Sequence, residues 1–318
     1  MKKLVWIIVS LILITFAVRT FWNMQLTAVS SDETVKSLII TKGQSVSDVA
    51  DKLKEQGLIK SPFFFKLYLN QSGLADQMQT GTFKLSPSMS SAEITKKLTT
   101  QAEDVWITLI EGWRLEEMVV KLSAQLGVKS NEFIKKAKEG YMFPDTYLFP
   151  REVTVEGIVK KLRDTFDQKY SDELKSKIRT QGLTENQGVI LASIVEREAR
   201  SDEVRKMVAS ILLKRLKIDM GLNADATIQY ALGYQEDEKS WWKRHLSKED
   251  LKIDSPFNTY IHRGLPPTPI ANPSLSSLQA VADADPNTPY LYYYHDSKGN
   301  SYYAKTLDDH NKNVANNP

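Results

Sequence analysis

The chain has 318 residues, a formal net charge of +3 from 42 Lys plus Arg against 39 Asp plus Glu, and a hydrophobic fraction of 42%. These ordinary globular values fit about two domains and exclude disordered, collagen-like and multi-span membrane classes, while a near-neutral charge argues against a nucleic-acid binder. Cysteine is absent and only four histidines occur, none in a close ligand pair, so neither a metal centre nor a cofactor is expected.

In chain order, the first element is the uncharged stretch LVWIIVSLILITFAV at 4–18, preceded by Lys2 and Lys3. Arg19 can snorkel, and Phe21, Trp22 and Met24 carry the apolar character to residue 26, long enough for a membrane span. A cleaved signal peptide is the competing reading, although the bulky Leu26 makes Leu26-Thr27-Ala28 a poor cleavage site. An uncleaved anchor leaves Lys2 and Lys3 cytoplasmic by the positive-inside rule, a bias that Arg19 weakens, and places the rest of the chain outside the cytoplasmic membrane.

After the polar linker 27–34, SLIITKGQSVSDVADKLKEQGLIKSPFFFKLYL predicts a strand through Ile39 and Ile40, a turn at Lys42-Gly43, and a helix with Ser45 as N-cap. The pattern returns 69 residues later: Gly43 meets Gly112, Val46 Leu115, Val49 Met118, Leu53 Leu122 and Phe64 Phe133. A duplicated small α/β unit is therefore expected. MQTGTFKLSP at 78–87 reads as the closing strand of the first copy. The run Ile40-Thr41-Lys42-Gly43-Gln44-Ser45-Val46 resembles the opening of a LysM module, a strand–helix–helix–strand fold that recognises N-acetylglucosamine-containing glycans; the bland alternative is a spacer.

YMFPDTYLFP at 141–150, with two prolines, reads as a rigid loop, and VTVEGIVKKLRDTFDQKYSDELKSKI as a polar helical run. In QGVILASIVEREAR, Val189, Ala192, Val195 and Ala199 share one helical stripe, and Ile190, Ile194 and Glu198 an adjoining one. A carboxyl group at the end of an apolar row can be desolvated and its pKa raised, which prepares a general acid. Glu196 falls about 200° around the helix from Glu198, so the two do not face one cleft. The alternative is a solvated EREAR face.

ILASIVEREAR, NADATIQYALG (223–233), SPFNTYIHRGLPPTPIANPS (255–274) and TPYLYYYHDSKGNSYYAKTLDDHNKNV (288–314), together with YMFPDTYLF, resemble in order and spacing the endolytic murein transglycosylase (YceG-like) family. The resemblance implies cleavage of peptidoglycan between N-acetylmuramic acid and N-acetylglucosamine without water, leaving a 1,6-anhydro end. One carboxyl group suffices for that chemistry because the sugar's own 6-hydroxyl attacks; a hydrolase needs a second carboxylate. The family's catalytic glutamate maps to Glu198, with Glu196 in reserve. Ala199 stands where a hydroxyl residue commonly follows in other lytic transglycosylases.

Asn258, Thr259 and Tyr260 are candidates for binding acetamido and hydroxyl groups, or alternatively for a loop that caps the core. Asp225, Thr227 and Gln229 either bond a sugar or hold the loop around Glu198. Trp241 and Trp242 are glycan or protein contacts, or partly buried anchors. The expected architecture is α+β: a cytoplasmic stub and transmembrane helix at 1–26, a LysM-like unit at 27–100, a second related α/β unit at 101–160, and a mixed α+β catalytic domain at 161–318. The implied setting is the bacterial cytoplasmic membrane, crossed once, with peptidoglycan glycan strands as substrate. Peptidoglycan synthases or division and elongation proteins are the partners that setting suggests. Two competitors remain: a noncatalytic glycan-binding scaffold, and a muramidase using Asp225 or Asp254 as second carboxylate.

Overall fold

The structure, a computed structural model, describes residues 2–41, 43–100 and 103–317. Lys42 of the expected turn lies outside them, as do Gln101 and Ala102 at the expected boundary between the two small units; Gly43 takes a left-handed φ of 90°. The chain forms two compact units, Met1–Ile107 with Tyr147–Val153, and Thr108–Thr146 with Thr154–Pro318.

The first unit opens with α1 (Lys2–Leu26), whose stretch Trp6–Leu26 is long and apolar enough to cross a membrane. Its large side chains are exposed, Trp6 at 71% and Phe16 at 69%, an arrangement that water does not favour and a bilayer does. There follow β1 (Lys36–Ile40), α2 (Val46–Glu55), α3 (Pro62–Gln71), β2 (Gly81–Leu85) and α4 (Ser91–Thr100). Helix α2 starts at a reciprocal capping box in which the Ser45 hydroxyl accepts from the Asp48 N–H and the Asp48 side chain accepts from the Ser45 N–H. The strands β1 and β2 are antiparallel, with Leu38 opposite Phe83. Period-two alternation turns Leu38, Ile40, Phe83 and Leu85 inward, where they meet Val49 and Leu53 of α2, Phe65 and Leu69 of α3, and Ile94 and Leu98 of α4.

The strands β3 (Asp104–Thr108) and β4 (Thr146–Pro150) pair, and between them run α5 (Leu115–Leu126) and α6 (Ser130–Lys136). The order strand, helix, helix, strand thus occurs twice. The segment expected as a loop over 141–150 is irregular only as far as Asp145, then becomes β4, because Tyr147 and Phe149 alternate into the interior.

In the second unit the polar run after Val153 is two helices, α7 (Val155–Lys169) and α8 (Asp172–Thr180), because Ser171 caps the second through the Leu174 N–H. Next come α9 (Glu185–Glu198), α10 (Asp202–Lys217), α11 (Asp225–Leu232), a long irregular connection, α12 (Leu275–Ala282), the antiparallel hairpin of β5 (Tyr292–His295) and β6 (Ser301–Ala304), and α13 (Leu307–Asn316). Helix α9 is the axis of the unit: every residue from Gly188 to Val195 is buried, with α8, α10, α11 and α12 packed round it. A helix apolar on all sides must be enclosed in this way. Gly188 permits the closest approach, since a Cβ there would fall 2.6 Å from Ile178 Cγ2.

Candidate active site

Helix α9 begins at a Thr184–Gln187 capping box and ends at Glu198, beyond which Ala199 turns extended (φ −136°, ψ 146°). Its last turn emerges from the apolar core carrying three charged residues in succession. At about 100° per residue they diverge, and each finds a different environment.

Glu196 is consumed by structure. One carboxylate oxygen accepts from Arg205 Nη2 at 2.9 Å, and the other accepts from the N–H and hydroxyl of Ser274, the N-cap of α12. Its side chain is 4% exposed. Arg197 lies over the Trp242 ring, 3.8 Å from the centroid, and donates to the Gly112 carbonyl. Burial lowers its pKa.

Among the described residues, Glu198 has no salt-bridge partner of this kind. The Tyr293 hydroxyl and the Ala226 N–H in the first turn of α11 favour the charged form of its carboxylate. Burial, aided by the negative charge of Asp225, pushes its pKa up to about 7, and the Tyr293 hydroxyl, the Ala226 N–H and Arg197 only partly oppose that rise. The residue borders two depressions. One, of about 460 Å³, is also lined by Arg215, Asp225, Tyr260 and Tyr293; the other, of about 580 Å³, by Arg200, Ser201 and Asp296; His295 borders both. A larger hollow, walled by Gly264-Leu265-Pro266-Pro267 and α9's first turns, does not include Glu198.

The candidates around Glu198 separate into cavity-lining and buried groups. Asp225 and Tyr260 line the cavity, and the Tyr260 hydroxyl donates to Asp225 Oδ1. Asn258 is fully buried: its Nδ2 donates to the Leu251 and Ile253 carbonyls, and its Oδ1 accepts from the Tyr260 N–H. The buried hydroxyls of Thr259 and Thr227 bond each other at 2.9 Å; the first accepts from the Ala224 N–H and the second donates to the Ala224 carbonyl. Gln229 donates to the Lys243 carbonyl at 2.7 Å. The Thr227–Thr259 pair thereby pins the start of α11, which carries Asp225 and the Ala226 N–H, to the loop that carries Tyr260; Asn258 shapes that loop from within, and Gln229 ties α11 to the Lys243 segment. Trp242 is buried, its indole donating to Glu117, while Trp241 meets Tyr234 edge-to-face and lies under the Arg114 guanidinium. Asp254 does not border Glu198's cavities.

Two contributors to the Glu198 site, Arg215 and Tyr293, and one buried carboxyl that does not line its cavities, Glu139, do not stand out in the sequence. Arg215 is only 5% exposed and donates to the Leu291 and Leu222 carbonyls; in sequence it is one of several cations closing α10. Tyr293 is one of several tyrosines in a row, and only the hairpin's placement selects it. Glu139, whose carboxyl burial pushes up to about 8, accepts from the Leu115 N–H and Asn272 Nδ2. Asn272 also accepts from the Met142 N–H and donates to the Trp113 carbonyl, so this pair ties α5 to the loop before α12.

Residues 38–316 match the YceG-like family. The chain is 33% identical over 312 residues to a protein named endolytic murein transglycosylase from Bacillus subtilis (strain 168), an alignment covering 88% of this chain and 84% of that one. It is 28% identical over 322 residues to a protein of the same name from Streptococcus pneumoniae serotype 2 (strain D39 / NCTC 7466), covering 87% of this chain but 57% of the longer relative. Among solved structures, the crystal structure of a yceG-like protein from Listeria monocytogenes aligns with a TM-score of 0.63 and 28% identity, over 87% of this chain and 98% of that one.

Proposed function

The chain belongs to the YceG-like family, and from that premise we propose that it is a lytic transglycosylase cleaving the glycan strands of peptidoglycan, with Glu198 as general acid and then general base. The observation that carries the assignment is a carboxyl group pushed up toward neutrality by burial that nevertheless borders two adjoining depressions, where a glycan can reach it. Glu198 donates its proton to the oxygen bridging N-acetylmuramic acid and N-acetylglucosamine, and the C1–O bond breaks. The ring oxygen shares the positive charge that develops, which the Asp225 carboxylate stabilises electrostatically. The sugar's 6-hydroxyl then bonds to C1 and returns its proton to Glu198. The products are a 1,6-anhydro end and a free hydroxyl on the leaving sugar, and the enzyme is restored without water.

In this reading Tyr260 contacts the sugar, Tyr293 orients the Glu198 carboxyl, and Asn258, Thr259, Thr227 and Gln229 hold the loops that present Asp225 and Tyr260. Glu196 is a structural carboxylate. Helix α1 is an uncleaved single-pass anchor, with the chain's start in the cytoplasm and both later units outside it. The first strand–helix–helix–strand unit is a LysM-like module for glycan.

A second reading, hydrolysis, is favoured by one observation: Asp225 borders the same cavity as Glu198 and could activate water. Digestion of purified sacculi, with the ends resolved by mass spectrometry, separates the two. The proposal expects 1,6-anhydro ends that disappear in Glu198→Gln and persist in Glu196→Gln. Reducing ends would establish hydrolysis, and uncut strands would leave a glycan-binding scaffold.

A further inference from the structure

We infer that the Phe63–Leu67 face of α3 is a membrane-contacting surface, lying in the headgroup region of the phospholipid bilayer that α1 crosses; this rests on the anchor reading above and adds a second point of contact to it. The sequence of α3, PFFFKLYLNQ, is apolar on more sides than its core needs. Phe65 and Leu69 fill the core of the first unit. Phe63 and Leu67, one turn apart on another side, remain 62% and 41% exposed.

That exposed face continues into the span. The Phe64 ring meets Phe21 and Trp22 of α1 edge-on at 5.7 and 5.5 Å, and Phe63 packs on Phe64 at 5.3 Å. The 21 residues of Trp6–Leu26 rise about 31 Å, against a hydrocarbon core of ~30 Å. Trp22 therefore lies about 6 Å short of the span's end, at the level where aromatic side chains collect in membranes. Rings in contact with it share that depth.

The attachment is also pinned. Lys60 Nζ donates to the Met24 carbonyl at 3.2 Å and to the Thr27 hydroxyl at 2.7 Å. It thereby satisfies one of the open carbonyls at the C-terminal end of α1, where a cation is favoured. Nearby, Lys54 donates to the Lys60 carbonyl. These ammonium groups bond to neutral oxygens and keep their charge for lipid phosphates. The first unit is then held against the bilayer rather than swinging on the 27–34 linker.

Because the full chain has no cysteine, single thiols report depth without background. The variants Phe16→Cys, Phe63→Cys, Leu67→Cys and, on the exposed side of α4, Ala92→Cys are each nitroxide-labelled in full-length protein. The protein is reconstituted in vesicles of phosphatidylethanolamine and phosphatidylglycerol, and collision with oxygen is compared with collision with a water-soluble nickel chelate. The expected result is a several-fold loss of nickel accessibility at Phe16, Phe63 and Leu67 relative to Ala92. If Phe63 and Leu67 match Ala92 while Phe16 is shielded, the surface contact is overturned and the anchor stands. If Phe16 is open to nickel, the anchor fails and takes the contact with it. Shielding at Ala92 as well would also overturn the inference, since a surface confined to one face predicts contrast.

Discussion

Replacing Glu198 with Gln removes a titrating group from a desolvated position, and its consequence for folding can be worked out independently of catalysis. A carboxyl whose pKa rises from 4.5 to about 7 on folding keeps its proton in the folded chain over a range where the unfolded chain has lost it. Its contribution to stability is therefore fully present below about pH 4.5 and is lost as pH rises through about 7. At ~1.36 kcal/mol per pKa unit, the loss approaches about 3 kcal/mol. Glutamine is close to the same size, cannot ionise and escapes it. Glu139 titrates near pH 8 in both proteins and cancels in the comparison. Urea unfolding of the wild type and Glu198→Gln at pH 5 and pH 8.5 measures the effect. The variant should gain about 2 to 3 kcal/mol relative to wild type between those pH values, equivalent to a Tm separation of about 4 °C or more for a unit of this size. A stability difference independent of pH, or a wild type that gains on the variant as pH rises, would refute the claim that Glu198 is folded into a desolvated, protonated state.

The same electrostatics sets the pH profile of cleavage. As a general acid with a pKa near 7, Glu198 loses activity on the alkaline side, and Asp225→Asn, by removing a charge that raises that pKa, should move this limb to lower pH in assays of anhydro-end release. Glu196→Gln breaks a buried pair with Arg205 and should cost about 3 kcal/mol in denaturant titrations, while cleavage per folded molecule is retained. Gly188→Ala forces a methyl group into Ile178 of α8 and should lower stability by about 1 to 3 kcal/mol, read as a lower urea midpoint with the m-value unchanged.

Patterns of short range were legible in the sequence. The apolar run of α1 and the return of the strand, turn and helix pattern 69 residues later follow from hydropathy and spacing alone. So does the position of Glu198 at the end of an apolar helical row, because helix period relates residues only a few places apart. The break between α7 and α8 went unread in a long polar run, where Ser171 is one polar residue among many and only its bond to the Leu174 N–H marks it as a cap. Strand β4 was hidden by Pro144 and Pro150, which punctuate the segment while its pairing with β3 lies far away in sequence.

The sequence alone determined that two carboxyl groups close α9 on different sides, since a fixed rotation per residue requires it. Only the tertiary structure decided what each meets. Arg205 and Ser274 satisfy Glu196, whereas Glu198 finds one tyrosine hydroxyl, one backbone N–H, a like charge and little water. The same holds for Asn258, Thr259 and Thr227, whose residue types suit a sugar but whose polar atoms are already bonded within the fold. Periodicity is written locally along the chain; desolvation and hydrogen-bond satisfaction depend on groups brought together from distant positions, and those two quantities set the pKa of a carboxyl group.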